Sequence, residues 1–226
     1  MSSHVNIGHN LAGPEATQVI NVSNNNGLPS DDEIDRECLK ALRCSNPFEV
    51  KNRLKRTKGG LSRDSFRWVL SDEHYRRWRY EGDVSLLWIK GGAGRGKTMM
   101  SIGLIEELEQ HRMQKTVVTY FFCQNANSEL NTVEAIVKGL IFRLLGQQEQ
   151  TKKILRKRWN AQRHCFEEDF HEQEPLWNIF LEIISHCQSI YDTIIIVVDA
   201  LDECNAEGMA DFLQKIVTTG LDSPSS

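Results

Sequence analysis

Eight consecutive residues of this chain have the types and spacing of a phosphate-binding loop. They fill every fixed position of the pattern G-x-x-x-x-G-K-[S/T], and they are Gly91, Gly92, Ala93, Gly94, Arg95, Gly96, Lys97 and Thr98. Glycines let backbone N–H groups converge on phosphate oxygens without side-chain clashes. In this pattern the lysine reaches the β- and γ-phosphates and the threonine hydroxyl binds Mg²⁺. The sequence therefore predicts a site for ATP or GTP, in preference to a glycine-rich turn that binds nothing.

An acidic motif further along the chain supports this prediction. Five consecutive β-branched apolar residues, 194–198, precede Asp199, as in a parallel strand that is buried on both faces. A carboxylate at the end of such a strand holds Mg²⁺ beside the phosphate loop. Asp202 and Glu203 follow, and we expect one of them to orient or deprotonate the attacking water. The alternative is a strand followed by an acidic helix cap with no chemical role.

The loop must be positioned by a strand before it and a helix after it. Residues 84–90 form a short apolar run that predicts the strand, and Ile102, Ile105 and Leu108 have the spacing of the helix. Residues 116–123 predict a second strand. The acidic-motif strand completes a parallel sheet, so the expected fold class is α/β.

Helix-start signals mark most of the remaining chain. Ser30-x-x-Glu33 and Asn131-x-x-Glu134 have the spacing of capping boxes, and Asn46-Pro47 places proline at a first helical position. Amphipathic helices are also expected around Trp177 and after Met209. The basic residues within 151–163 predict a solvated helix face.

Aromatic and basic residues alternate through positions 61–80. Their helical spacing favours packing of the aromatic rings against the core. Stacking on nucleic-acid bases, or on the base or ribose of a nucleotide, is the alternative. The aromatic residues are Phe66, Trp68, Tyr75, Trp78 and Tyr80.

Composition excludes several classes of protein. The chain has 226 residues and a net charge of −4, so no global positive charge favours nucleic acid. No apolar run is long enough to span a membrane, and no secretory signal is evident. Six scattered cysteines without a C-x-x-C pair predict reduced thiols and a cytoplasmic location.

Residues 1–30 differ from the rest of the chain because they are rich in asparagine and glycine and nearly free of charge. Such a segment cannot bury enough apolar surface to fold alone. A disordered tail is therefore expected. The same composition also suits stacked β-layers with asparagine ladders, so a β-templating signal is the alternative.

These motifs together make the chain resemble the NACHT domains of fungal signalling proteins, P-loop NTPases that include heterokaryon-incompatibility proteins. The resemblance covers roughly residues 36–218, and its most specific parts are the phosphate loop with residues 88–91, and residues 120–124 and 197–204. Residues 58–79 also resemble the segment that precedes the loop in that family. The N-terminal tail is similar to amyloid-signalling motifs that act on a cell-death effector.

The resemblance implies a P-loop NTPase of three α/β/α layers with a helical segment, 31–82, before the NACHT domain at 83–226. It implies slow hydrolysis and nucleotide-dependent self-association. In that family the strand after the acidic motif lies in the sheet between two others, the strand that precedes the phosphate loop and the strand that ends in the acidic motif. Residues 218–226 do not supply it. We therefore expect a fold that is incomplete at its C-terminus, a fragment or truncated paralogue. A non-catalytic adaptor acting through its tail is the alternative, and a small-molecule kinase is disfavoured because no acceptor lid is evident.

Overall fold

The computed structural model of the chain describes residues 29–59, 64–81, 85–111, 115–162, 166–205 and 207–221. The predicted tail therefore lies outside the described residues except at its last two positions, 29 and 30. No helix in the described ranges is long and apolar enough to cross a membrane.

The described chain is mostly helical, with two strands. The helices are α1 (Asp31–Ala41), α2 (Pro47–Thr57), α3 (Asp64–Ser71), α4 (Glu73–Arg76, continued by a π-helical turn, Arg77–Glu81), α5 (Lys97–Gln110), α6 (Val133–Leu145), α7 (Glu149–Gln162), α8 (Gln173–Gln188) and α9 (Met209–Leu221). The strands are β1 (Thr116–Phe122) and β2 (Thr193–Asp199). Single 3₁₀ turns cover Glu168–Phe170 and Leu201–Glu203.

The two strands pair in parallel and carry helices on both faces. Phe122, the last residue of β1, is opposite Asp199, so both strands end at the same edge. Thr119 donates a hydrogen bond from Oγ1 to the carbonyl oxygen of Leu140 on α6, whereas the next residue, Tyr120, faces Lys51 on α2. Alternate side chains of a strand point to opposite faces, so the sheet is sandwiched between helices. The predicted α/β class holds in this coarse form.

The strand predicted over residues 84–90 does not form in its described part. Residues 86–90 have no strand pairing, and Leu86 and Trp88 are 48% and 51% exposed. A strand needs a neighbour to satisfy its N–H and C=O groups. The sheet of the described residues contains only β1 and β2, and the apolar run pairs with neither of them.

Two of the three predicted helix starts are confirmed. Ser30 and Glu33 form a reciprocal capping box at α1, and Asn46 caps α2 with Pro47 inside its first turn. The third was displaced by one residue, because Thr132 caps α6 through the backbone N–H of Ala135. The side chain of Asn131 instead donates to the carbonyl oxygen of Asn125.

The aromatic residues of 61–80 divide into two sets. Phe66 and Tyr75 are buried and form a small cluster with Leu104 of α5, as the packing interpretation predicts. Trp68 and Tyr80 are 61% and 63% exposed, so packing does not account for them. The buried set fixes α3 and α4 against the helix that follows the phosphate loop.

The basic face of α7 is only partly solvated, contrary to expectation. Lys153 and Lys157 are exposed, but Arg156 forms ion pairs with Asp35 and Glu149. This contact holds the pKa of Asp35 below its usual range, chiefly through the hydrogen bond to Arg156. The face therefore docks α1 against α7, which the sequence alone did not indicate because Asp35 lies more than a hundred residues before Arg156.

Candidate functional site

The glycine-rich loop adopts a backbone that only glycine takes easily. Gly94 and Gly96 have φ angles of +70° and +79°, in the left-handed region where a side chain is strained. Gly96 is also the N-cap residue of α5. The turn that leads into this helix thus explains the glycines at positions 94 and 96.

The first turn of α5 offers its backbone donors to the loop. No side chain among the described residues caps this helix, and its first backbone–backbone hydrogen bond runs from the N–H of Met100 to the carbonyl oxygen of Gly96 over 2.9 Å. The preceding N–H groups and the positive end of the helix dipole favour an anion at such a position. Ala93 and Arg95 lie on the exposed surface of the same loop.

The side chain of Lys97, the first residue of α5, folds back over the glycine-rich loop. Its Nζ donates to the carbonyl oxygens of Gly91 and Gly92, at 2.6 Å and 3.2 Å. The ammonium is therefore held where the loop backbone turns. The two carbonyl groups are neutral acceptors, and an anionic phosphate oxygen would be a stronger partner for the same ammonium.

Asp199 ends β2 beside the first turn of α5. The residue is buried, with an exposure of 6%. Oδ1 accepts a hydrogen bond of 2.8 Å from the hydroxyl of Ser101. Oδ2 has no hydrogen-bond partner among the described residues. Burial raises the pKa of Asp199, and the nearby hydroxyl groups of Ser101 and Thr98 only partly offset this rise.

The two acids after Asp199 lie differently. Ala200, at φ +56°, turns the chain sharply into the 3₁₀ turn that carries Asp202 and Glu203. Glu203 accepts a hydrogen bond at Oε2 from the backbone N–H of Asn125, 3.2 Å away, and its charge acts to raise the pKa of Asp199. Asp202 is exposed. Of the two predicted water-handling residues, Glu203 is the one tied to the carboxyl edge of the strands.

Sequence reasoning missed Ser101. It lies three residues after Thr98 and therefore on the same face of α5, directed at Asp199. The available signal was this spacing of two hydroxyl residues after the phosphate loop. Gln124, which follows β1 at the same edge, was also missed, and its buried Nε2 has no partner among the described residues.

The oxygen groups at this edge fit a hard divalent cation. The hydroxyl of Thr98 and the unpartnered Oδ2 of Asp199 are the ligand types that Mg²⁺ takes from proteins, together with waters and phosphate oxygens. A buried carboxylate oxygen without a hydrogen bond is costly, and a cation would offset that cost. Thr98 and Asp199 thus remain the predicted metal ligands.

Comparisons with known proteins bear on this arrangement. Residues 64–224 match the family model described as nephrocystin 3, N-terminal. The chain is 34% identical over 192 residues to the vegetative incompatibility protein HET-E-1 of Podospora anserina. The match covers 84% of this chain but 14% of that relative, so the chain spans about a seventh of its length. No solved structure matches the chain.

Proposed function

The chain belongs to the nephrocystin 3 N-terminal family, and its resemblance to fungal NACHT proteins is confirmed; we propose that it binds ATP or GTP with Mg²⁺ as the nucleotide switch of a signalling protein. The observation that carries the proposal is one convergence. At the uncapped start of α5, Lys97 folds over the glycine loop, and the next residue, Thr98, lies near the buried and half-satisfied carboxyl group of Asp199.

Each group has a distinct task in phosphate binding. The backbone N–H groups of the loop and of the first turn of α5 bind phosphate oxygens. The ammonium of Lys97 leaves the carbonyl oxygens of Gly91 and Gly92 for the stronger anionic acceptor. Thr98 and Asp199 hold Mg²⁺, which when bound neutralises phosphate charge.

Hydrolysis in this proposal is slow. Phosphoryl transfer depends on how the reacting groups are positioned and on neutralisation of the phosphate charge. Glu203 is the stronger of the two candidates for orienting water, since it is fixed at Oε2 by Asn125 beside Asp199. Asp202 is the weaker candidate because no such hydrogen bond holds it at this edge within the described residues.

The signalling part of the proposal comes from the relative. HET-E-1 is a vegetative incompatibility protein by name, and we infer a comparable role in non-self recognition for this chain. Self-association that depends on the bound nucleotide would transmit the signal.

The decisive experiment is calorimetric titration of the purified chain with ADP, ATP, GDP and GTP, each with Mg²⁺. Saturable binding that is lost in Lys97→Ala is expected. The matched control is Lys153→Ala, which removes an exposed lysine of α7 and should bind as the unmodified chain does. Affinity that is equal in Lys97→Ala and in the unmodified chain would overturn the proposal.

A further inference from the structure

Three lysines follow one face of α2, at positions 51, 55 and 58. Their spacing of four and three residues places them in one row on a helix. The Nζ of Lys51 lies 3.0 Å from Oε2 of Glu109, and the Nζ of Lys55 lies 2.7 Å from Oε1 of Glu106. The lysine numbers rise while the glutamate numbers fall, so α2 runs antiparallel to α5 and its last turn points towards the phosphate loop.

The third lysine, Lys58, has no glutamate opposite it on α5. One helical turn from Glu106 towards the phosphate loop, α5 carries Ile102 and Gly103 in place of acids, and Ser101 and Thr98 follow. Within the described ranges Lys58 forms no ion pair, whereas Lys51 and Lys55 each have one. The helix stops here because Gly59, at φ +89°, ends it.

A separate contact places the middle of α2 at the carboxyl edge of the sheet. Nη2 of Arg53 lies 3.4 Å from Oε1 of Gln124, the second residue after β1. The charge of Lys58 also acts on Asp199: burial raises the pKa of that carboxyl group, and Lys58 is among the groups that lower it. The ammonium of Lys58 is therefore within electrostatic reach of the residue that ends β2.

We propose that Lys58 is a second phosphate-binding cation, which reaches the terminal phosphate of a bound nucleoside triphosphate from the end of α2. The inference rests on the proposed nucleotide binding and deepens it. The loop backbone meets the inner phosphates and Lys97 meets the β/γ pair. Lys58 approaches from the opposite side, beside Asp199, where the outermost phosphate comes closest to the acidic motif. The segment before the phosphate loop would thereby distinguish triphosphate from diphosphate.

The test compares two nucleotides in three variants of the full chain. Fluorescent analogues of ADP and of a non-hydrolysable ATP are titrated with Mg²⁺ into Lys58→Gln, Lys58→Arg and the control Lys55→Gln. Lys55→Gln removes the preceding lysine of the same row, which is already paired with Glu106. A thermal unfolding midpoint close to that of the unmodified chain confirms that each variant is folded.

Lys58→Gln should weaken binding of the triphosphate about tenfold, the loss of one charge-assisted hydrogen bond, and leave the diphosphate within about twofold. Lys58→Arg should retain most of the triphosphate affinity because the charge is kept. Lys55→Gln should change neither affinity. Equal effects of Lys58→Gln on both nucleotides, or no effect, would overturn the role of Lys58 while leaving nucleotide binding intact. If the unmodified chain binds neither nucleotide, the proposed function fails and the inference fails with it.

Discussion

The hydroxyl of Ser101 donates a hydrogen bond of 2.8 Å to Oδ1 of Asp199, joining the first turn of the phosphate-loop helix to the end of β2. The contact fixes one carboxylate oxygen and leaves the other, Oδ2, buried without a partner among the described residues. Ser101 therefore acts as a positioning residue for the predicted metal ligand.

Ser101→Ala should weaken the dependence of nucleotide binding on Mg²⁺. Without the hydroxyl, the carboxyl group of Asp199 loses a hydrogen bond that lowers its pKa and is less fixed in orientation. We expect the Mg²⁺ concentration needed for half-maximal nucleotide binding to rise several-fold, as for other residues that orient metal ligands. Titration of Mg²⁺ at fixed nucleotide measures it. Ser101→Thr keeps the hydroxyl, so its half-maximal Mg²⁺ concentration should stay near that of the unmodified chain. An unchanged Mg²⁺ dependence in Ser101→Ala would show that the hydrogen bond has no positioning role.

Asp199→Asn should stabilise the chain at neutral pH while removing the metal ligand. Because burial raises the pKa of Asp199 in the folded chain, folded protein holds this proton at pH values where unfolded protein has released it. Stability therefore falls as pH rises from the ordinary carboxyl pKa through the raised one. The substitution removes this loss, and we expect a gain of about 1 kcal/mol at pH 7. Urea unfolding at pH 7 and at lower pH measures it.

The gain in Asp199→Asn should shrink towards zero as pH falls below the ordinary carboxyl pKa of 3.8, where both states are protonated. Asp192→Asn is the control, because Asp192 is exposed and forms only a long ion pair with Lys115. A gain of equal size at low and neutral pH would mean that titration of Asp199 is not its cause.

Local chemistry explains which parts of the site could be predicted. The phosphate loop, the start of α5 and the end of β2 each follow from a few adjacent residues, such as Gly96 at a left-handed turn. The capping box of Ser30 with Glu33 is equally local. Such features need no knowledge of distant parts of the chain.

Features that depend on distant partners could not be predicted in this way. The apolar run at 84–90 has the composition of a strand, but its described part pairs with neither β1 nor β2. Ser101 and Lys58 became candidates only when the packing of α5 and α2 against the strands was known. Likewise, the sequence of α7 does not show that Arg156 on its basic face pairs with the distant Asp35.

Glu109→Ala should destabilise the chain strongly. Glu109 accepts hydrogen bonds from Lys51 at 3.0 Å and from Arg143 at 2.9 Å, and both cations also lie against the ring of Tyr120. Removing the carboxylate leaves two largely buried cations without their counter-ion, which costs about 3 kcal/mol. Chemical denaturation measures the free energy of unfolding.

Glu106→Ala is the matched control on the same helix. Its partner Lys55 is partly exposed, so the expected loss is below about 1 kcal/mol. Equal losses in the two variants would show that burial of the Glu109 network does not determine its contribution.

Gly103→Ala tests how α3 is held against the phosphate-loop helix. A Cβ at this position would lie 2.5 Å from Cδ1 of Phe66, closer than real carbon atoms approach. Because Phe66 is buried in the cluster that joins α3 and α5, the ring must shift, and we expect a loss of about 1–3 kcal/mol in the free energy of unfolding. In a Phe66→Ala background the same substitution should cost much less, since the clash is gone. A double-mutant cycle by urea denaturation measures the difference.

Gly146→Ala is the control. Gly146 has a helical φ of −71°, and the nearest neighbour of an added Cβ would be 3.6 Å away, so that variant should be neutral or slightly more stable. A loss in Gly103→Ala that persists undiminished without the Phe66 ring would place the strain elsewhere.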